Sequence, residues 1–378
     1  MNLELIIQEE FPQQSDMIYL NHAGVSPWPK CTANAIKAFA EENIHHGPVN
    51  YKHWLRIELE LRERLRELLN APSIDDIALL KNTSEGLSVV AYGLLWKQGE
   101  NIVTSNQEFP SNRIVWESLA SKGVELRQAD LDSGVSPEEA LFSLVDEKTR
   151  IITISSVQYA TGLRMDLKRI GEFCKNKNIL FCVDAIQSLG ALQMDVQEID
   201  ADFVVADGHK WMMGPEGVAV FYTTPESRDR LTLNQFGWHM IERAGDYDTQ
   251  EWEVARSAKR FECGSPNMLG IFGLNASLSL ILETGIDQVE ARIMTNSACL
   301  VDAFSKDSDI QIVTPSEPKR HAGIFSFRKR SRKLQEVYNR LAENGVHAAL
   351  RGNAIRLSPH FYNRTIQMEQ CVNVVHRM

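Results

Sequence analysis

No two cysteines stand at CxxC spacing, although the chain holds six: Cys31, Cys174, Cys182, Cys263, Cys299 and Cys371. Thiols scattered in this way, three of them in apolar or helical patterns, argue against a disulfide framework and for reduced core cysteines in a reducing compartment. No GxGxxG stands at a strand-to-helix junction, which disfavours a nicotinamide or flavin site of the Rossmann kind. Basic residues are in the minority: 40 Lys and Arg face 50 Asp and Glu, a formal net charge of −10. That balance argues against nucleic acid or an anionic membrane as a partner, and the locally basic run from Lys319 to Lys333 reads as a solvated face. Long apolar runs are missing too, and the acidic start MNLELIIQEEF has no basic segment ahead of an apolar core. A secretory signal or spanning helix is therefore not expected, and a cytoplasmic location is.

What is present is an ordinary globular balance, 43% hydrophobic and 24% charged over 378 residues, long enough for two cores. Short apolar runs at 77–80, 101–105, 150–157, 181–184, 203–206 and 218–222 read as buried strands. Helical patterns at 87–96, 137–145 and 166–178 fall between them, the second opened by the capping-box pair Ser136 and Glu139. Strand and helix in alternation imply βα units and a mostly parallel sheet flanked by helices. An amphipathic helix at 51–69, stopped by Pro72, precedes this region. After a looser charged segment at 242–260, helical patterns at 269–282, 287–304, 331–344 and 365–376 alternate with strand-like runs at 310–313, 323–327, 346–350 and 354–357. The division expected is an N-terminal arm over 1–17 that packs with the small domain, a large α/β domain over 18–255 and a small α+β domain over 256–378.

The chemistry-bearing stretch is FCVDAIQSLGALQMDVQEIDADFVVADGHKWMMGPEGVAVFY, from Phe181 to Tyr222. Its first strand ends on Asp184, three residues before Gln187. Its second delivers Asp207, Gly208, His209 and Lys210 to the same sheet edge, where open α/β sheets bind ligands. A lysine lodged between apolar strands is costly when charged, so its amine tends toward the neutral, nucleophilic form that builds a Schiff base with an aldehyde cofactor. An acid held opposite, such as Asp184, suits the protonation of a pyridine nitrogen. By spacing alone, a surface lysine beside a strand-end aspartate explains the same letters. Upstream, Asn82-Thr83-Ser84-Glu85-Gly86 opens a helix, and hydroxyls with free backbone N–H groups there make an anion site; an ordinary N-cap is the alternative.

These residues carry a resemblance to the class V aminotransferase family of pyridoxal phosphate enzymes, which includes the cysteine desulfurases. The pattern Asp-x-x-Gln followed by Ser-x-His-Lys stands here as Asp184-Ala185-Ile186-Gln187 and Asp207-Gly208-His209-Lys210, with Asp207 in place of the family serine. The resemblance implies a fold-type I transferase with pyridoxal 5′-phosphate bound at Lys210, Asp184 on the pyridine nitrogen and Gln187 on the phenolic oxygen. It implies catalytic roles for Lys210, Asp184 and His209, and a phosphate gripped by Thr83, Ser84 and His209. Gly264 and Ser265 would reach that phosphate from the other subunit of a homodimer. Asn21, His22 and Ala23 would line the substrate side, with Tyr159 near the ring, and Arg351 and Arg356 would hold the carboxylate of a small amino-acid substrate. No metal is implied. A carboxylate beside a phosphate repels it, so Asp207 is expected to point elsewhere.

Two departures shape the expected reaction. Desulfurases of the family stack a histidine on the pyridine ring, and Phe109 stands at that position. An aromatic ring stacks by dispersion but relays no proton. Their nucleophilic cysteine rides on a loop between two arginines, whereas here only Gly352, Asn353, Ala354 and Ile355 separate Arg351 from Arg356. An aminotransferase, β-lyase or epimerase without a persulfide cysteine is thus the leading expectation. A cysteine desulfurase or selenocysteine lyase, and a catalytically silent α/β binding protein, stay open as alternatives.

Overall fold

The apolar runs of the first two thirds of the chain assemble into one seven-stranded sheet in a computed structural model that describes residues 3–13, 16–248, 250–317 and 319–378. Its spatial order is Ile77–Leu80, Ala219–Thr223, Phe203–Asp207, Leu180–Asp184, Thr149–Ser155, Asn101–Ser105 and Glu125–Ala129. Every pairing is parallel except the two made by Ala219–Thr223, which runs against both neighbours. The strands read as unbroken apolar runs because both faces are covered. Phe181 and Val183 enter one hydrophobic cluster while Leu180 and Cys182 enter the other, the two-residue alternation of a pleated strand. Burial of each such large side chain stabilises the fold by about 1.5–3 kcal/mol.

Several elements carried no sequence signal, two of them parts of the main scaffold. The edge strand Glu125–Ala129 is polar and partly exposed, and charges on an edge discourage pairing with another chain. The helix Lys30–His46 fully buries only Thr32; it lies along Met268–Thr284, which is apolar all round and mostly buried.

The C-terminal part forms a four-stranded antiparallel sheet in the order Ala349–Arg351, Ala354–Leu357, Phe325–Lys329 and Ile310–Ile312. Helices Ile286–Ser305, Leu334–Glu343 and Thr365–His376 pack with it around the stacked rings of Phe304, Phe325 and Phe327. The expected strand at 346–350 splits at Ala348, because Val346–His347 pairs with Ile18–Tyr19 while Ala349–Arg351 pairs with Ala354–Leu357. Ile18 and Leu20 belong to this smaller core. Ile7, on the helix Leu3–Glu10, joins the larger core, and the Phe11 ring stacks on Tyr362 at 3.9 Å. Among the described residues no single helix is long and apolar enough to cross a membrane.

Candidate active site

Five of the strands that run in the common direction end on one cavity of about 270 Å³, and each contributes a functional side chain to its wall: Thr83, Phe109, Tyr159, Asp184 and Asp207. Lys210 follows Asp207 in a tight turn closed by the Gly208 N–H to Val218 O bond and the Met213 N–H to Lys210 O bond, 2.9 and 3.0 Å. Its side chain is buried, and Nζ lies 5.4 Å from the centre of the Phe109 ring. Among the described residues Lys210 makes no ion pair. Burial lowers its pKa well below that of an exposed lysine; the charge of Asp184 opposes the shift and that of Arg356 adds to it.

Asp184, at the neighbouring strand end, is 1% exposed. Burial raises its pKa, the Ile186 N–H donated at 3.0 Å lowers it, and the charge of Glu108 raises it again. Glu108 is a site residue that the sequence reading passed over. Its buried carboxylate accepts from the hydroxyls of Ser105 and Ser155, the Ser155 N–H, Asn112 Nδ2 and Gln158 Nε2, at 2.5–3.2 Å. It thereby ties the Phe109 wall to the turn that carries Tyr159. A signal was present: an acid just past a buried strand, with serines at two adjacent strand ends. Gln187 donates to Ala23 O at 3.1 Å and accepts from Trp211 Nε1 at 3.0 Å, which fixes its amide against the cavity wall.

The anion cradle is built at a helix start. Asn82 caps the helix Thr83–Gly93, its Oδ1 accepting from the Glu85 N–H at 2.9 Å. The helix therefore begins ahead of the expected residue 87, and Thr83 and Ser84 stand in its first turn, where backbone N–H groups lack intrahelical partners. Thr83 Oγ1 accepts the Asp207 N–H at 3.1 Å, and Ser84 Oγ donates to Ser111 Oγ at 2.9 Å. Gly86 lets the helix close on the sheet: a Cβ there would stand 2.5 Å from Val205 Cγ1. Asp207 does not turn away from the cradle as expected. It lines the cavity, with Oδ1 at 2.9 Å from His209 Nδ1, so the imidazole rather than a backbone N–H faces its charge.

On the opposite wall Arg356 is 1% exposed. Nη1 donates to Tyr159 O at 2.9 Å and Nη2 to Asn21 Oδ1 at 3.1 Å, while Nε has no hydrogen-bond partner. No carboxylate pairs with it among the described residues, and burial, with Arg351 nearby, lowers its pKa to about 9. Ala23, Tyr159 and Arg351 line the cavity. Asn21 acts through Arg356 and does not line it. His22 does not either: Nδ1–H donates to Ser358 O at 2.7 Å, which leaves Nε2 to accept the Tyr362 hydroxyl at 2.6 Å. Burial lowers its pKa far below the ordinary value, so this histidine is a neutral strut between the two parts of the molecule. Gly264 and Ser265 line a separate cavity of about 480 Å³ and do not meet Lys210 within one chain.

Comparison with known proteins agrees with this arrangement. The family model for "Aminotransferase class-V" matches residues 18–372. A "Probable cysteine desulfurase" of Methanothermobacter thermautotrophicus is 29% identical over 96% of this chain and 95% of its own. An "Uncharacterized aminotransferase" of Bacillus subtilis is 26% identical over 97% of this chain and 95% of its own. Among solved structures, an apo cysteine desulfurase from Thermococcus onnurineus superposes with a TM-score of 0.89 at 24% identity, covering 100% of this chain and 98% of the other. The chain is a member of the class V aminotransferase family and has the fold-type I architecture of its pyridoxal phosphate enzymes.

Proposed function

We propose that this protein is a pyridoxal 5′-phosphate enzyme that transforms a small amino acid at Lys210, by transamination, β-elimination or epimerisation, without a cysteine that takes up sulfur. The observation that carries this reading is a buried lysine and a buried arginine on one cavity, neither paired with an acid among the described residues. An unpaired buried cation is expensive, and a carboxylate ligand relieves the cost at Arg356 through the fork geometry of its guanidinium. The cofactor fits the remaining groups: a helix start for the phosphate, a buried acid for the pyridine nitrogen and an aromatic side chain, Phe109, on the same cavity. When bound, it supplies an aldehyde carbon that condenses with amines and a ring that draws electrons away from the substrate.

The chain's own residues divide the remaining work. Lys210, its amine shifted toward the neutral form by burial, would hold the aldehyde carbon of the bound cofactor and would take the proton from the substrate α-carbon. Asp184 would hold the pyridine nitrogen through its carboxylate. Phe109 would lie against the bound ring, and because its side chain carries no titratable proton, proton transfer would fall to Lys210. Arg356, set by Asn21 and Tyr159, orients the substrate. Support for the missing sulfur-accepting cysteine comes from the turn Gly352-Asn353, with φ of +54° and +58°, which joins paired Arg351 and Ala354 as a two-residue hairpin. Among the described residues no cysteine lines the cavity, and burial raises the pKa of Cys174 and Cys182. Gly264 and Ser265 then serve the phosphate of a second copy, and the working unit is a homodimer.

The names of several relatives favour a second reading, a cysteine desulfurase or selenocysteine lyase. Product analysis on a panel of amino acids that includes cysteine, with and without a keto-acid acceptor, separates the two. Amino transfer, elimination or epimerisation that survives replacement of all six cysteines supports the first. Alanine formed from cysteine with a persulfide trapped on the protein selects the second.

A further inference from the structure

The phosphate cradle contains a carboxylate where the family pattern has a hydroxyl, and the structure shows what that carboxylate faces. Asp207 is 6% exposed and lines the cavity beside the helix start at Thr83. Its backbone N–H is committed to Thr83 Oγ1 at 3.1 Å. Its Oδ1 stands 2.9 Å from His209 Nδ1, and both atoms are buried without a hydrogen-bond partner, each other included. The approach has hydrogen-bond length, with the ring N–H off the line to the oxygen. Contacts of this kind in ligand-binding sites tighten when a ligand engages the other end of the group. A bare carboxylate in the cradle would repel a phosphate across a few ångströms, in a site where burial weakens solvent screening.

We infer that Asp207 is a positioning residue for the phosphate-binding histidine. Its carboxylate takes the Nδ1–H of His209 and so fixes the ring with the other nitrogen left for the phosphate, while the imidazole screens the carboxylate from that phosphate. The inference rests on the cofactor reading above and adds to it a mutual dependence: each residue harms the site without the other. A serine at this position would supply a hydroxyl to the anion but would not hold the ring in this way.

The two roles predict effects that change sign. In the full-length apoprotein, dissociation constants for pyridoxal 5′-phosphate and for pyridoxal, which lacks the phosphate, are measured by equilibrium dialysis with thermal melts to check folding. Asp207→Ala is expected to weaken binding of the phosphate form about tenfold, the loss of one charge-assisted hydrogen bond. His209→Ala is expected to weaken it about a hundredfold, because it also leaves the carboxylate uncovered. The double variant should bind about tenfold more tightly than His209→Ala alone, so that the substitution harmful in one background helps in the other. Asp207→Asn, which keeps an acceptor for the ring, should stay close to the natural protein, and pyridoxal affinity should change little throughout. Should His209→Ala fail to fold, His209→Asn takes its place in the cycle. Losses that simply add, or an Asp207→Ala protein that binds as tightly as the natural one, would overturn the inference while leaving the cofactor reading standing. A natural protein with no affinity for either compound overturns both.

Discussion

Lys210 Nζ and the ring of Phe109 face one another at 5.4 Å, an amine against an aromatic face where desulfurases of this family set an imidazole. The ring offers no proton, and it is burial of the lysine that lowers its pKa. With Lys210 buried and its pKa lowered from 10.5 to about 8, the folded protein releases this proton earlier than the unfolded chain does. The charged lysine therefore costs stability below pH 8, and that cost is relieved as pH rises through the window from 8 to 10.5. Competitive reductive methylation read by mass spectrometry is expected to give Lys210 a midpoint near 8, apart from the surface lysines; a midpoint at their value would contradict the burial argument.

In the proposed function Asp184 holds a ring nitrogen and does not grip the cofactor, so Asp184→Ala should separate chemistry from binding. One charged hydrogen bond is worth about 1.5–3 kcal/mol, so turnover should fall about 10- to 150-fold. Cofactor occupancy at saturation should hardly move. Parallel loss of both would show that Asp184 serves binding rather than chemistry.

Arg356 carries a cost that only a ligand offsets. Arg356→Gln should raise the KM for the amino-acid substrate about a hundredfold, the value of a fork-to-carboxylate contact, with a smaller change in kcat. The melting temperature should hold or rise, because a buried cation without an acid partner is removed. A large loss of stability would mean that Arg356 is a strut between Tyr159 and Asn21 and not a substrate residue.

Arg62 is the opposite case. It donates to Glu58 at 2.6 Å, to both oxygens of Glu262 at 2.7 Å and to Ile77 O at 2.9 Å, all of it buried. Glu58, Glu262 and His239 come close enough to suggest a cation site, but this guanidinium already supplies the positive charge. Arg62→Met strands two carboxylates and should cost about 3–5 kcal/mol in urea unfolding, with Arg62→Met/Glu262→Leu recovering part of it. A loss below about 1 kcal/mol would show the cluster to be well solvated.

The parallel sheet and the residues at its edge were legible because both carry strong local signals. Unbroken apolar runs mark strands covered on two faces, and Asp184, Lys210 and Thr83 follow directly from the strands and turns that place them, whereas Arg356, inside a strand of the smaller sheet, was legible only through the family resemblance. What escaped depends on contacts distant in sequence. Nothing near Glu125 or Lys30 shows that a polar strand closes the sheet or that a weakly amphipathic helix lies on Met268–Thr284. Glu108 gains its meaning from Ser155 and Gln158, far along the chain. His22 looked like a substrate residue beside Ala23, yet its ring turns toward Ser358 and Tyr362, which only the fold brings there. The split at Ala348 likewise reflects a partner strand, Ile18–Tyr19, from the other end of the chain.

In the proposed function everything turns on the amine of Lys210 as the attachment point for the cofactor. Reduction of the protein with borohydride after loading with pyridoxal 5′-phosphate, followed by peptide mass spectrometry, tests it directly. A single phosphopyridoxyl group is expected on the peptide that contains Lys210, with the visible absorption band lost on reduction and absent from a folded Lys210→Ala variant. A reduced adduct on any other lysine, or a band that persists in Lys210→Ala, would contradict it.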